Sequence, residues 1–238
     1  MTKVLIISDS TQQWVRPYRN HINDFTYTEL LFKEDAISLF IVSMPGMTST
    51  DALQYYWNNA GGLFFDFCII SVGINDLTPR SYPRWLWKIN NNLPIKYGFL
   101  AKMFDLIYRL ATNTKLQSLC SKYGISKPWV SKKEFYLNLS KLQELILKES
   151  DANILFLSLP MVSKRVQDIL PGIEKNVIAY KNEFQHLKND RTFVIDIENL
   201  FIENPELYNP EGIHYSAQGH KKIFDAIMSI IHEKRLGH

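Results

Sequence analysis

Four residue types that together perform acyl transfer recur along this chain, each just beyond an apolar run. Ser10 follows Val4-Leu5-Ile6-Ile7 within Ser8-Asp9-Ser10, and Gly46 follows the run Ile37 to Val42. Asn75 stands in Gly73-Ile74-Asn75-Asp76 after Phe67 to Val72, and His214 closes Glu211-Gly212-Ile213-His214 shortly after Phe193-Val194-Ile195. Ester cleavage needs a nucleophile, a base that holds its proton, a group that orients the base, and donors aimed at the developing oxyanion. Ser10 is the candidate nucleophile, His214 the general base, and Glu211 the carboxylate that orients the imidazole across one tight turn. The candidate oxyanion donors are the backbone N–H groups of Ser10 and Gly46 and the side-chain amide of Asn75, which donates without adding a proton to the reaction. Gly46 lets the backbone approach a substrate where a Cβ would clash. Taken singly, each has a plainer explanation: Ser as a helix cap, Asn as turn chemistry, His as a surface residue. Their order and shared placement at strand ends favour a common pocket.

Such a pocket requires elements that bring residues some 200 positions apart to one edge. Short runs of Val, Ile, Leu and Phe without alternation lie near 3–8, 37–43, 66–72, 153–158 and 192–196. They read as strands buried on both faces. Helical patterns lie between them, at Ser49 to Trp57, Lys133 to Glu149, Pro171 to Leu187 and Ala217 to Arg235. Ser49 or Thr50 is expected to cap the first of these and Ser216 the last. The β-α alternation predicts an α/β fold with a parallel sheet, whose strand ends share one edge.

With 238 residues, 46% hydrophobic and 21% charged, the chain suits one well-buried domain over 1–238. The two cysteines, Cys68 and Cys120, make neither a disulfide framework nor a metal-binding spacing. No signal peptide and no long apolar span are recognisable, so a cytoplasmic location is expected.

Residues 78–133 break the alternation and read as a basic, aromatic-rich insertion. They hold eleven Lys and Arg against one acid, Asp105, a net charge of +10 in a chain of +3, which leaves −7 for the rest. Trp85, Trp87 and Trp129 lie here among six Tyr and Phe residues. Arg80, Arg84, Trp85 and Trp87 are candidate substrate contacts, since cations with aromatics suit an anionic sugar polymer, a nucleotide or a membrane surface. Tyr97 to Ala111 reads as an amphipathic helix whose wide apolar face packs on the core or a second copy, or else acts as a lid. No recognisable nucleic-acid-binding motif accompanies the charge, and no nucleic-acid partner is expected.

The motif residues resemble those of the SGNH hydrolases, also called GDSL-type esterases. Ser10, Gly46, Asn75 and His214 fall in that family's order, and Gly73-Ile74-Asn75-Asp76 is the most specific element. The resemblance covers most of the chain outside 78–133. It implies a flavodoxin-like three-layer α/β/α sandwich with about five parallel strands, and ester hydrolysis without metal or cofactor. There are two departures: Ser8 stands where the family has Gly, and Glu211 where it has Asp. Serine triads elsewhere use Glu, and Asp196 is a spare carboxylate. Asp9 and Asp76 are expected to hold the loops by accepting hydrogen bonds.

The expected activity is therefore removal of an acyl group, acetyl foremost, from a hydroxyl of a sugar or glycoconjugate, itself anionic if the insertion contacts it. Two alternatives use the same architecture: an O-acyltransferase to a sugar hydroxyl, and an inactive protein that binds glycan or a peripheral membrane surface. Oligomeric state is not legible.

Overall fold

The apolar runs pair side by side as β1 (Thr2–Ser8), β2 (Ile37–Ser43), β3 (Phe67–Ser71), β4 (Asn153–Leu157) and β5 (Thr192–Ile195). The computed structural model describes residues 1–12, 24–92, 99–201 and 204–236. One sheet runs in the order β2-β1-β3-β4-β5 with every ladder parallel. The strand order reverses at β1, which places the crevice between its neighbours at their carboxyl ends. Ser8 pairs with both Ser43 and Ser71. The chain after β1, β2 and β3 therefore leaves the sheet at one level, with Asp9-Ser10, Met44 to Gly46 and Val72 to Asn75 side by side.

Successive strand residues face opposite sides, and two cores result. Leu5, Ile7, Cys68, Ile70, Ile154 and Phe156 belong to one, Val4, Ile6, Phe67, Ile69, Leu155 and Leu157 to the other. The helices, in chain order, are α1 (Tyr27–Phe32), α2 (Ser49–Tyr55), α3 (Ile74–Leu77), α4 (Arg84–Asn92), α5 (Phe99–Ala111), α6 (Thr114–Lys122), α7 (Lys132–Glu149), α8 (Lys164–Ile169), α9 (Ile173–Gln185), α10 (Ile197–Phe201) and α11 (Ala217–Leu236). Helices α2, α7 and α9 cover the first face with Ala52, Phe135, Leu139, Val177 and Phe184. Helices α1, α10 and α11 cover the second with Leu31, Ile197, Phe201, Ile223, Ile227 and Ile231. Three layers follow, as the residue pattern implied.

Several local expectations need correction. Strand β2 is not buried on both faces: Phe40 and Ile41 are 43% and 44% exposed, because β2 is an edge strand with a neighbour on one side only. The cap of α2 is Thr48, not Ser49 or Thr50. The Thr48 side chain accepts from the Asp51 N–H while Asp51 accepts from the Thr48 N–H, a reciprocal capping box. The helical pattern there also ends sooner, at Tyr55, and continues as a wider π turn over Tyr56–Ala60. Ser216 does cap α11, its Oγ accepting from the Gly219 N–H at 3.2 Å.

The largest difference concerns the insertion. Helix α5 matches the expected amphipathic pattern from Phe99 onward, whereas Tyr97 lies outside the described residues. It does not pack on the core: no described side chain from 102 to 129 is buried. Leu106, Leu110, Leu119 and Ile125 stand more than half exposed. Helix α5 lies against α4 and α6, and α6 against α8, so the apolar stripe that reads as core is spent only partly, on neighbouring helices. No described helix is long and apolar enough to cross a membrane, and both cysteines are free.

Candidate active site

Ser8 closes β1 in extended conformation, paired on both sides, so a glycine's freedom is not needed there. The next residue turns the chain: the Asp9 carboxylate accepts from the Thr11 N–H at 2.9 Å and the Thr11 hydroxyl at 2.7 Å. This side-chain-to-backbone turn starts the short 3-10 segment Ser10–Gln12 and presents Ser10 at its first position. Burial pushes the Asp9 carboxyl up, and the bonds from Thr11 and Asn75 together with the nearby His214 pull it back.

His214 reaches Ser10 from the other end of the chain, with Nε2 3.1 Å from Oγ. Its Nδ1 lies 2.5 Å from Glu211 Oε1. The Glu211 carboxylate also accepts the N–H groups of Ile213 at 2.9 Å and His214 at 3.0 Å. Burial raises the Glu211 pKa, but the His214 ring and these N–H donors outweigh it and hold the carboxyl below its usual range. The extra methylene of Glu relative to Asp is therefore taken up within the turn. Gly212 is required between them, since its φ is +83° and a Cβ would lie 1.8 Å from Ser163 Oγ. Asp196, the spare carboxylate, is engaged elsewhere, 3.2 Å from Lys181 Nζ.

Asn75 lies in α3, whose entry at Gly73 takes φ +135°. Its Nδ2 donates to Asp9 Oδ2 at 3.2 Å and to the Met47 carbonyl at 3.3 Å. These bonds tie together the loops after β1, β2 and β3. Asp76 fixes the same corner from below: it accepts from the Ser49 N–H at 2.9 Å and the Ser49 hydroxyl at 2.5 Å. Burial pushes its carboxyl up to about 7. The expected loop-holding parts of Asp9 and Asp76 are thus visible as bonds. Of their partners, Ser49 reads in the sequence only as a helix cap, and Thr11 carries no assigned part. Thr11 is findable as the third residue of Asp-Ser-Thr, but Ser49 is 27 residues from Asp76 and nothing local signals that pairing.

Gly46 sits in the Met44 to Met47 turn with φ +72°, and Trp87 occupies the space beside it, so that a Cβ would fall 2.4 Å from the indole. The two border a cavity of about 440 Å³ with Met44, Pro45, Met47, Asp51, Arg84 and Lys88. Arg84 is paired with Asp51, and Lys88 approaches the same carboxylate at 3.7 Å. Trp85, one residue from Arg84, is 57% exposed on α4 and does not border this cavity. Arg80 is elsewhere again, bonded to Asn75 Oδ1 at 3.1 Å. The four insertion residues thus divide: Arg84 and Trp87 line the cavity, Arg80 lies behind Asn75, and Trp85 is apart. Among the described residues there is no metal-binding cluster of His, Cys, Asp and Glu.

The fold is shared with solved structures over nearly their whole lengths. A lipase/acylhydrolase from Enterococcus faecalis matches with TM-score 0.63 and 14% identity, covering 98% of this chain and 97% of that one. A member of the lipolytic protein G-D-S-L family from Veillonella parvula gives 0.60 and 11%, covering 97% and 98%. Phospholipase A1 from Streptomyces albidoflavus gives 0.59 and 12%, covering 96% and 98%. No family profile matches the sequence, and no curated protein does. The chain thus has the fold of the GDSL-type lipases and acylhydrolases.

Proposed function

We propose that this chain is a serine esterase of the SGNH type, a carboxylic ester hydrolase acting through an acyl-Ser10 intermediate. The observation that carries the proposal is the line Glu211, His214, Ser10, with contacts of 2.5 Å and 3.1 Å, set beside the Asn75 amide. His214 would take the Ser10 proton as Oγ attacks the ester carbonyl, then return it to the leaving alcohol. Glu211 would hold the imidazole in the tautomer with the proton on Nδ1 and balance its positive charge once Nε2 is protonated. Water would then attack the acyl-enzyme with His214 again as base, regenerating Ser10.

The substrate part of the proposal is an acylated sugar or glycoconjugate, with acetyl as the acyl group. Its support is the cavity at Gly46, whose lining includes the Trp87 indole, since an aromatic side chain suits a sugar ring and the basic insertion suits an anionic one. A cytoplasmic location belongs to the same proposal, supported by the two unpaired cysteines.

Hydrolysis of 4-nitrophenyl acetate by the protein, by Ser10→Ala and by His214→Ala tests the chemistry. Both variants are expected to lose on the order of 10³-fold or more in kcat. Equal rates in all three proteins would remove the proposal. Acetylated acidic and neutral glycans, compared as substrates, test the sugar.

A further inference from the structure

Arg80 approaches the site from behind the reacting groups. Its Nη2 donates to Asn75 Oδ1 at 3.1 Å and its Nη1 to the Tyr82 hydroxyl at 3.1 Å. The guanidinium lies 4.0 Å from the centroid of Trp129. Two backbone bonds to Lys127, of 3.0 and 3.1 Å, hold its main chain. Among the described residues its buried Nε has no hydrogen-bond partner and no carboxylate forms an ion pair with it. A cation is thus delivered to two uncharged acceptors, the amide oxygen of Asn75 and the Tyr82 hydroxyl.

A guanidinium has donors only, so Asn75 must turn Oδ1 toward Arg80 and Nδ2 the other way, toward Asp9 and the Met47 carbonyl. The two Nδ2 contacts, at 3.2 and 3.3 Å, are long for N–H···O bonds. Donation to an amide oxygen draws electron density from its nitrogen and strengthens the N–H groups as donors, the more so when the donor is charged.

We propose that Arg80 is a positioning residue for the oxyanion hole, acting through Asn75: it fixes the orientation of the carboxamide and sharpens its donation to the developing oxyanion. The inference rests on the esterase proposal above. It replaces the expectation that Arg80 contacts substrate, and it gives the insertion a structural task, since Arg80, Tyr82, Lys127 and Trp129 all belong to it. The benefit grows as negative charge forms on the carbonyl oxygen, so it appears in kcat and not in KM.

The test is 4-nitrophenyl acetate kinetics on Arg80→Met, Arg80→Gln and Arg80→Lys, each alone and Arg80→Met also combined with Asn75→Ala. Arg80→Met is expected to lower kcat about tenfold to a hundredfold with KM within about twofold, less than the loss of an oxyanion donor itself. Arg80→Lys keeps the charge and should recover part of kcat; Arg80→Gln keeps only a neutral donor and should recover less. In the Asn75→Ala background Arg80→Met should cost nothing further. A rise in KM at constant kcat, an undiminished cost in the Asn75→Ala background, or wild-type kinetics in Arg80→Met would each overturn the inference while leaving the esterase proposal standing. Thermal melts of all variants identify any that fail to fold, and the Lys and Gln replacements, which retain a donor, then carry the comparison. A parent protein no faster than Ser10→Ala would instead remove the esterase proposal and this inference with it.

Discussion

Around Asn75 the polar side chains are buried and bonded to partners far away in sequence, whereas from 102 to 129 no described side chain is buried at all. The first region contains Asp9, Thr11, Ser49, Asn75 and Asp76, all at most 9% exposed. The second, the α5-α6 hairpin, shows water Leu106, Leu110, Leu119 and Ile125 between lysines, and its one acid, Asp105, is paired with Arg109 at 2.8 Å. Arg80 links the first region to the insertion that holds the second, yet the two are stabilised differently. The strand-end cluster is a mutually constrained set in which displacing one group leaves another buried and unpaired, and that rigidity is what an oxyanion site requires. The hairpin has few such constraints and tolerates change.

That contrast is sharpened most by Glu211→Gln. Gln keeps an oxygen for one backbone N–H but cannot balance an imidazolium, so kcat for 4-nitrophenyl acetate is expected to fall by on the order of 10² to 10⁴. The melting temperature should move by only a few degrees, and an active Glu211→Gln would show that the imidazole is oriented by something else.

A smaller effect comes from beneath the same cluster. His220 is fully buried between Tyr27 and Tyr215, with ring centroids 5.7 and 5.5 Å away, and among the described residues neither ring nitrogen has a hydrogen-bond partner. Burial, reinforced by His214, pushes its pKa down to about 3. The folded protein keeps it neutral while the unfolded chain protonates it near its ordinary value. Its share of stability is therefore complete above that value and is lost as pH falls toward 3. Asp76, raised to about 7, acts oppositely, favouring the folded state as pH falls from 7 toward 4. His220→Phe isolates the first effect: its stability relative to the parent should improve by ~2 kcal/mol between pH 7.5 and pH 5. A difference that does not vary with pH, in urea titrations at both values, would mean that the imidazole is not held neutral.

The smallest effect is expected in the hairpin. Leu106→Gln, Leu110→Gln and Leu119→Gln together should change unfolding free energy by no more than about 1 kcal/mol and leave kcat on 4-nitrophenyl acetate within about twofold. A loss of several kcal/mol would place these leucines in a packed interface and erase the contrast.

Much of this molecule is legible in its sequence because its strands are short, apolar and widely spaced. All five lie within about two residues of where the apolar runs place them. Ser10 is legible as a chemical type at a strand end, and Glu211 and His214 as an i, i+3 pair across Gly212; these two do not lie at the end of β5 as their place after the last apolar run suggests, since α10 and a 3-10 turn intervene. Helices α1, α3, α4, α6, α8 and α10 were not legible, since elements of 4–9 residues hold too few turns for a 3.6-residue period to show. The amphipathic pattern of α5 is legible, but what covers it is not: the core does not, and an apolar stripe states that a face wants cover without stating what supplies it.

The sequence by itself determined the strand positions, the alternation that makes a parallel sheet, and the residue types available for chemistry, because these follow from local periodicity and composition. Only the tertiary structure decided which groups meet. The shared register of Ser8, Ser43 and Ser71 puts three loops at one level. The pairing of Ser49 with Asp76, of Trp87 with Gly46 and of Arg80 with Asn75 depends on backbone paths fixed by both cores at once. Such contacts leave no periodic trace, since each joins residues whose separation along the chain is set by the fold and not by the turn of a helix or the pleat of a strand.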